Sequence, residues 1–178
     1  MPSARGTLPW RPAAAGPDLL ADPVLSAVHA CPSAEVAPID DALADTAAFC
    51  AAYDVAPSTS ANCVVVAGRR GEVTRYAAVV VLATHRADVN GVIRRHLDVR
   101  KISFAPREDA VGLTGMEFGG ITPIGLPADW PVLVDSAVLA AGPVVVGSGL
   151  RRSKILVDAA DLAALPNAEV LDLATPLA

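Results

Sequence analysis

Two β-branched runs, residues 63–67 and 73–82, flank the polar segment Gly68-Arg69-Arg70-Gly71, and no other feature constrains the fold as tightly. Strand-forming runs joined by a short Gly-bounded turn predict a β-hairpin. Neither run alternates strictly between apolar and polar residues, so both strands are expected to be covered on both faces. A chain organised round such a hairpin is not a helical bundle, and it needs packed elements on either side of a sheet.

The other elements follow from local signals. Residues 1–20 are rich in Pro, Ala and Gly and lack a helical or strand period, which predicts a loosely held arm ahead of a single domain over residues 21–178. Asp22 before Pro23 predicts a cap and first turn for a short helix through Leu25 and Val28, stopped by Pro32. Residues 35–38 read as extended. Asp40 can cap a second helix in which Leu43, Ala47, Cys50 and Tyr53 recur at helical spacing, ending near Asp54. Beyond the hairpin, residues 86–97 read as a helix with Val89, Ile93 and Leu97 on one face. Residues 101–105 read as a strand, and 106–112 as a helix with acidic residues in its first turn. Strands are expected at 132–134, 144–146 and 155–157, helices at 136–141 and 159–165, and an extended piece at 170–172. About six to seven strands mixed with short helices predict an α+β domain around a mixed, strongly curved sheet.

Composition narrows the function classes. With 178 residues, 53% of them hydrophobic, the chain can bury one core of useful size and is not a disordered polymer. The mean hydropathy of +0.45 comes largely from Ala and Val. No run approaches the ~18 apolar residues of a spanning helix. The N-terminal residues lack the apolar block of a secretory signal, and Cys31, Cys50 and Cys63 form no CxxC pair. A reducing cytoplasm is therefore the expected location. His29, His85 and His96 form no HxxxH pair, so neither a metal nor another cofactor is expected. Fourteen basic against nineteen acidic side chains give a formal charge of −5, which excludes coating of nucleic acid by bulk charge. Arg69-Arg70, Arg94-Arg95, Arg100-Lys101 and Arg151-Arg152 remain open to two readings, a local docking face or solvated surface.

The segment from Thr114-Gly115 through Phe118-Gly119-Gly120-Ile121-Thr122-Pro123-Ile124-Gly125 carries the chemical interest. Four glycines and a proline in twelve residues specify a shaped loop with exposed backbone N–H groups. Such donors at Gly119 and Gly120 suit a phosphate, a carboxylate or a tetrahedral oxyanion; the competing reading is a tight connection needed only for packing. There is no GxSxG elbow, no GxxxxGK[ST] loop and no GxGxxG fingerprint. Cys63 opens an apolar strand without a nearby predicted base, which favours a small core residue over a thiol nucleophile.

In this order the motifs resemble the YbaK/EbsC family of aminoacyl-tRNA deacylases, related to the editing insertion domain of bacterial prolyl-tRNA synthetase. The resemblance runs from about Asp41 onward. It rests on Ala61-Asn62-Cys63-Val64, on Lys101-Ile102-Ser103-Phe104-Ala105 leading into Pro106-Arg107, and on the TGxxxGGxxPxG run from Thr114. Val134-Asp135 before a short helix and Gly147-Ser148-Gly149 before Ile155-Leu156-Val157 complete it. It implies a barrel-like sheet with surrounding helices and hydrolysis of the ester of a mischarged tRNA. By the same resemblance Gly119 and Gly120 bind the substrate carbonyl or terminal adenosine, and Asp135 orients the amino group unless it only caps the helix that follows. Thr114, Gly115, Phe118, Pro123 and Gly149 belong to the implied substrate-binding set.

One position departs from the family. A lysine usually stands where this chain has Asn62, and neither Lys101 nor Lys154, its only lysines, falls there. An amide still donates and accepts hydrogen bonds but carries no charge. Asn62 is therefore taken as a catalytic candidate in a deacylase. The alternative is a non-catalytic module of the same fold that binds an aminoacyl or nucleotide-like ligand or a protein partner. A homodimer through a sheet edge is open to such a chain, though no sequence feature selects it.

Overall fold

The computed structural model describes residues 1–178. The chain begins with β1 (Arg11–Pro12), α1 (Asp22–Ala27), β2 (Glu35–Pro38) and α2 (Thr46–Tyr53). The hairpin follows as β3 (Ala61–Arg70) and β4 (Val73–Leu82), then β5 (His85–Ala87), α3 (Arg94–His96), β6 (Lys101–Phe104) and α4 (Arg107–Thr114). The last third contains β7 (Val132–Asp135), α5 (Ser136–Ala141), β8 (Pro143–Gly147), β9 (Ser153–Asp158), α6 (Ala159–Ala163), β10 (Ala168–Leu171) and β11 (Ala174–Pro176).

The α+β class is as expected, but the strands do not form one barrel-like sheet. Eleven strands fall into three sheets, ordered β1-β2-β9-β8, β10-β7-β4-β3-β6 and β11-β5. The five-stranded sheet is mixed: β4 pairs antiparallel with β3 and parallel with β7, because a long crossover separates β4 from β7. The two larger sheets enclose the main core, with Val36, Val144, Val146, Ile155 and Val157 from one meeting Val80, Leu82, Val132 and Val134 from the other. A second cluster, including Ile93, Leu97, Val99 and Leu173, covers the other face of the five-stranded sheet. A third, around Phe49 and Cys50 of α2, covers Leu156 and Val145 of the four-stranded one. Coverage on both faces explains why the hairpin runs do not alternate.

Several local expectations change in detail. The hairpin turn is Gly71-Glu72, because Arg70 pairs with Val73, and Gly71 takes φ 64°. Gly68 lies inside β3, where a Cβ would meet the Val99 side chain at 2.6 Å. That glycine serves packing and not the turn. Residues 86–97 are not one helix: β5 pairs with β11, and Asp88 then accepts from the N–H groups of Gly91 (3.0 Å) and Val92 (3.1 Å) to start a wide turn that runs into α3. Asp40 caps only a short turn, through Ala42 N–H at 3.0 Å, and α2 begins later, after Asp45. Asp22 is the first residue of α1, with Ala21 before it and no side-chain cap. Residues 1–20, expected to be a loose arm, lie against the domain: β1 pairs with β2, Ala13, Leu19 and Leu20 are buried, and Arg5 pairs with Glu35 at 2.8 Å. Apolar residues spaced irregularly among prolines supply this anchoring, which a periodicity search does not register.

Candidate functional site

A cavity of about 1150 Å³ opens beside the core where the two larger sheets approach. Its walls come from α2, the first half of β3, the end of β6, α4, the loop residues Phe118, Gly119 and Ile121, the end of β8 and a single residue of β9. The lining is mostly apolar with a few polar groups, the usual make-up of a small-molecule site. A smaller recess of about 410 Å³ beside Trp130 contains none of the expected site residues.

Of the nine residues singled out by sequence, Asn62, Phe118 and Gly119 line the cavity. Asn62 sits near the start of β3, where its Oδ1 accepts from Thr46 Oγ1 at 2.6 Å. That bond turns the amide so that its NH₂ group has no partner within the protein. Gly119 adopts φ +92°, in the left-handed region, and a Cβ there would run into the Arg151 guanidinium. It is exposed, and its N–H donates to no acceptor in the chain. Phe118 is 46% exposed at the rim, with the Arg107 guanidinium 4.6 Å above its ring. Phe104, 63% exposed, stands at the same rim.

The other six residues hold the loop and the sheet. Gly120 is buried, and its N–H is already taken by the Glu117 carbonyl at 2.9 Å while its carbonyl accepts from Gly149 N–H at 2.7 Å. A Cβ on Gly120 would lie 2.7 Å from Leu150 backbone atoms, so the glycine permits two segments to touch. The expected pair of donors is thus divided between one exposed N–H and one occupied N–H. Gly149 takes φ +86° and also accepts from Glu117 N–H at 2.8 Å. Thr114 is buried, donates to Ala110 O at 2.6 Å and accepts from Met116 N–H, while Gly115 ends α4 at φ 69°. Pro123 is buried in the loop. Asp135 lies outside the cavity. Its carboxylate accepts from Ala137 N–H at the start of α5 and from Leu173 and Ala174 N–H at 3.0 and 3.1 Å, which clamps the C-terminal segment to β7.

Sequence reasoning missed what the cavity gathers from distant elements. Thr46 orients Asn62, Arg107 covers Phe118, and Lys154 of β9 reaches the cavity wall. A lysine inside the apolar run of β9 was the available signal, since a fully paired strand seldom buries one without a purpose. Lys154 is only 8% exposed, donates to Ala44 O at 3.1 Å and lies 5.2 Å from the Phe49 ring centroid. Burial holds its pKa below the usual lysine value; Cys50 and Asp45 push it up and Arg151 pushes it down. Cys63 also lines the cavity, and desolvation pushes its thiol up to about 12, so it is not a thiolate at neutral pH.

An α+β domain with a mostly apolar cavity that carries a few polar groups in its wall has the make-up of a site that positions a ligand. The chain belongs to the aminoacyl-tRNA editing domain family, whose model matches residues 40–165. Two solved structures share the fold with a TM-score of 0.74 and 22% identity over 87% of this chain. One is a candidate trans-editing enzyme for prolyl tRNA synthetase, covered over 96% of its length; the other, covered over 97%, comes from work on epitope backbone grafting onto scaffold proteins. At that identity the likeness concerns the fold. No curated protein matches the chain.

Proposed function

We propose that the chain is a trans-acting aminoacyl-tRNA deacylase that takes the 3′ aminoacyl-adenosine end of a mischarged tRNA into the cavity. The single observation that carries this reading is the unpartnered N–H of Gly119 in the wall of a cavity large enough for that end, within a chain of the editing-domain family. Water adds to the ester carbonyl carbon, and the carbonyl oxygen gathers negative charge toward the Gly119 N–H. The bond from carbon to the ribose oxygen then breaks, that oxygen takes a proton, and the products are the free amino acid and a tRNA with its terminal hydroxyl restored. A fixed backbone donor needs no reorganisation as the charge develops, which suits a site with no charged nucleophile. The free NH₂ of Asn62 supplies a second neutral donor. The exposed rings of Phe118 and Phe104 offer faces on which the terminal adenine stacks. Amino acids are then separated by the volume left to the side chain, at about 1–3 kcal/mol per methylene.

The test is release of amino acid from Ala-, Cys-, Ser- and Thr-linked mischarged tRNAs by the wild type, Gly119→Val and Asn62→Ala. Gly119→Val is expected to lower turnover by about 10²-fold or more while the domain stays folded, because valine is strained at φ +92° and displaces the donor. Asn62→Ala is expected to lower it by at least tenfold. Turnover like the wild type's in Gly119→Val removes the backbone donor from the mechanism. A wild type that binds the aminoacyl end without releasing it supports the binding-module alternative.

A further inference from the structure

Lys154 is the one cationic side chain of the chain that lies buried, and no carboxylate pairs with it. Its Nζ has three donor positions, of which the fold uses one, on Ala44 O. The cross-strand neighbours of Lys154 are Ala37 on β2 and Gly147 on β8, so neither adjacent strand sets a large side chain beside its stem, and the ammonium reaches past them to the Phe49 ring. At Gly147 the backbone of the glycine loop takes the place of a side chain, since a Cβ there would meet the carbonyls of Gly120 and Ile121. The face of β9 that presents Lys154 also presents Leu156, which packs in the cluster with Phe49 and Cys50, and the ammonium therefore emerges between an apolar floor and the cavity. The charged or titratable groups round it are Asp45 ahead of α2, Cys50 within α2 and Arg151 ahead of β9. None forms a salt bridge with it. Leaving a cation desolvated costs stability unless something repays it. A transient anion in the cavity is such a partner.

We propose that Lys154 Nζ is the anion-binding group of the cavity and donates to the oxygen of the tetrahedral species formed when water adds to the ester. The role rests on the deacylase reading for its substrate and on geometry alone for its anion preference. Lys154 comes from β9, and Asn62 and Gly119 from β3 and the glycine loop, so three residues with donors not fully used by the fold line one cavity from three separate elements. Because the ground-state ester is neutral at that oxygen, Lys154 acts chiefly on the transition state, and its loss is expected in kcat more than in KM.

Two probes separate the claims. One is the adenosine 3′ ester of 1-aminoethylphosphonic acid, an anionic tetrahedral mimic; the other is 3′-alanylamino-3′-deoxyadenosine, with a neutral planar carbonyl. For Lys154→Met against the wild type, the expected results are a kcat on mischarged tRNA lower by about 10²–10³-fold, KM within threefold, phosphonate binding weaker by at least tenfold and amide binding within threefold. Lys154→Arg, which keeps the charge, is expected to recover part of the phosphonate affinity. Hydrolysis by the wild type with Lys154→Met within threefold of it overturns the role of Lys154 and leaves the deacylase standing. No hydrolysis by the wild type, with phosphonate binding that depends on Lys154, overturns the deacylase and leaves the anion site standing. Absence of both overturns both.

Discussion

Replacing Lys154 by methionine is expected to make the protein more stable while disabling it, with a pH dependence that follows from the buried amine. The side chain is 8% exposed, and its nitrogen has one acceptor, Ala44 O. Methionine fills a similar volume and exchanges the ammonium's contact with the Phe49 ring for a sulfur–aromatic one. It leaves the Ala44 carbonyl without its donor, at a cost of about 1 kcal/mol. Against this, removing a desolvated cation that lacks a counter-charge recovers about 2–3 kcal/mol. The net gain is about 1–2 kcal/mol, and at about 2–4 °C per kcal/mol for a domain of this size Tm rises by roughly 2–8 °C. The folded-state pKa of Lys154 is lowered below the ordinary 10.5, first of all by burial. Between that lowered value and 10.5 the unfolded chain binds more protons than the folded one, so wild-type stability rises with pH across that interval. Below the lowered value the wild type bears the full penalty. The advantage of Lys154→Met is therefore largest there and shrinks as pH approaches 10.5. Calorimetric or circular-dichroism melts of both proteins from pH 7 to 10.5 measure the difference. A variant less stable than the wild type at pH 7, or a gap that stays constant across the series, refutes the reasoning.

Asp135→Asn is expected to lower stability by about 1–3 kcal/mol, since one amide oxygen cannot hold Ala137, Leu173 and Ala174 N–H together, while activity per folded molecule is unchanged; denaturant melts paired with active-site-normalised turnover check this. Cys63→Ser is expected to leave turnover within twofold, because the thiol is protonated at neutral pH, and a larger loss in the same deacylation assay places the sulfur in the chemistry. Gly120→Ala is expected to cost about 2–4 kcal/mol, from contact with the Leu150 backbone and weakening of the bonds to Glu117 and Gly149, and thermal melts read it directly.

Sequence made the hairpin legible because its signal is local: β-branched runs on both sides of a turn. The turn itself was misplaced by two residues, since Gly68 and Gly71 look alike in sequence, although one makes room for Val99 and the other supplies positive φ. The number of sheets was not legible. Whether β8 and β9 join the hairpin's sheet or pair with β2 depends on contacts across more than a hundred residues, and no local propensity records them. The glycine loop was found from composition, but the division of labour between Gly119 and Gly120 depends on which N–H the Glu117 carbonyl occupies. Asp135 illustrates the same limit, because a carboxylate before a helix reads as a cap or a ligand until its partners in the C-terminal segment are known. Lys154 was visible as a residue and not as part of the site, since only the pairing of β9 between β2 and β8 turns it toward the cavity.

The central claim is that the cavity hydrolyses a misacylated 3′ end, and the most direct measurement is the single-turnover rate of amino-acid release from the Ala-, Cys-, Ser- and Thr-linked tRNA panel with excess wild-type protein. The account predicts release well above the rate in buffer for at least one of these small residues, with rates that differ across the panel by about 10-fold or more as side-chain volume changes. Release at the buffer rate for every member contradicts it.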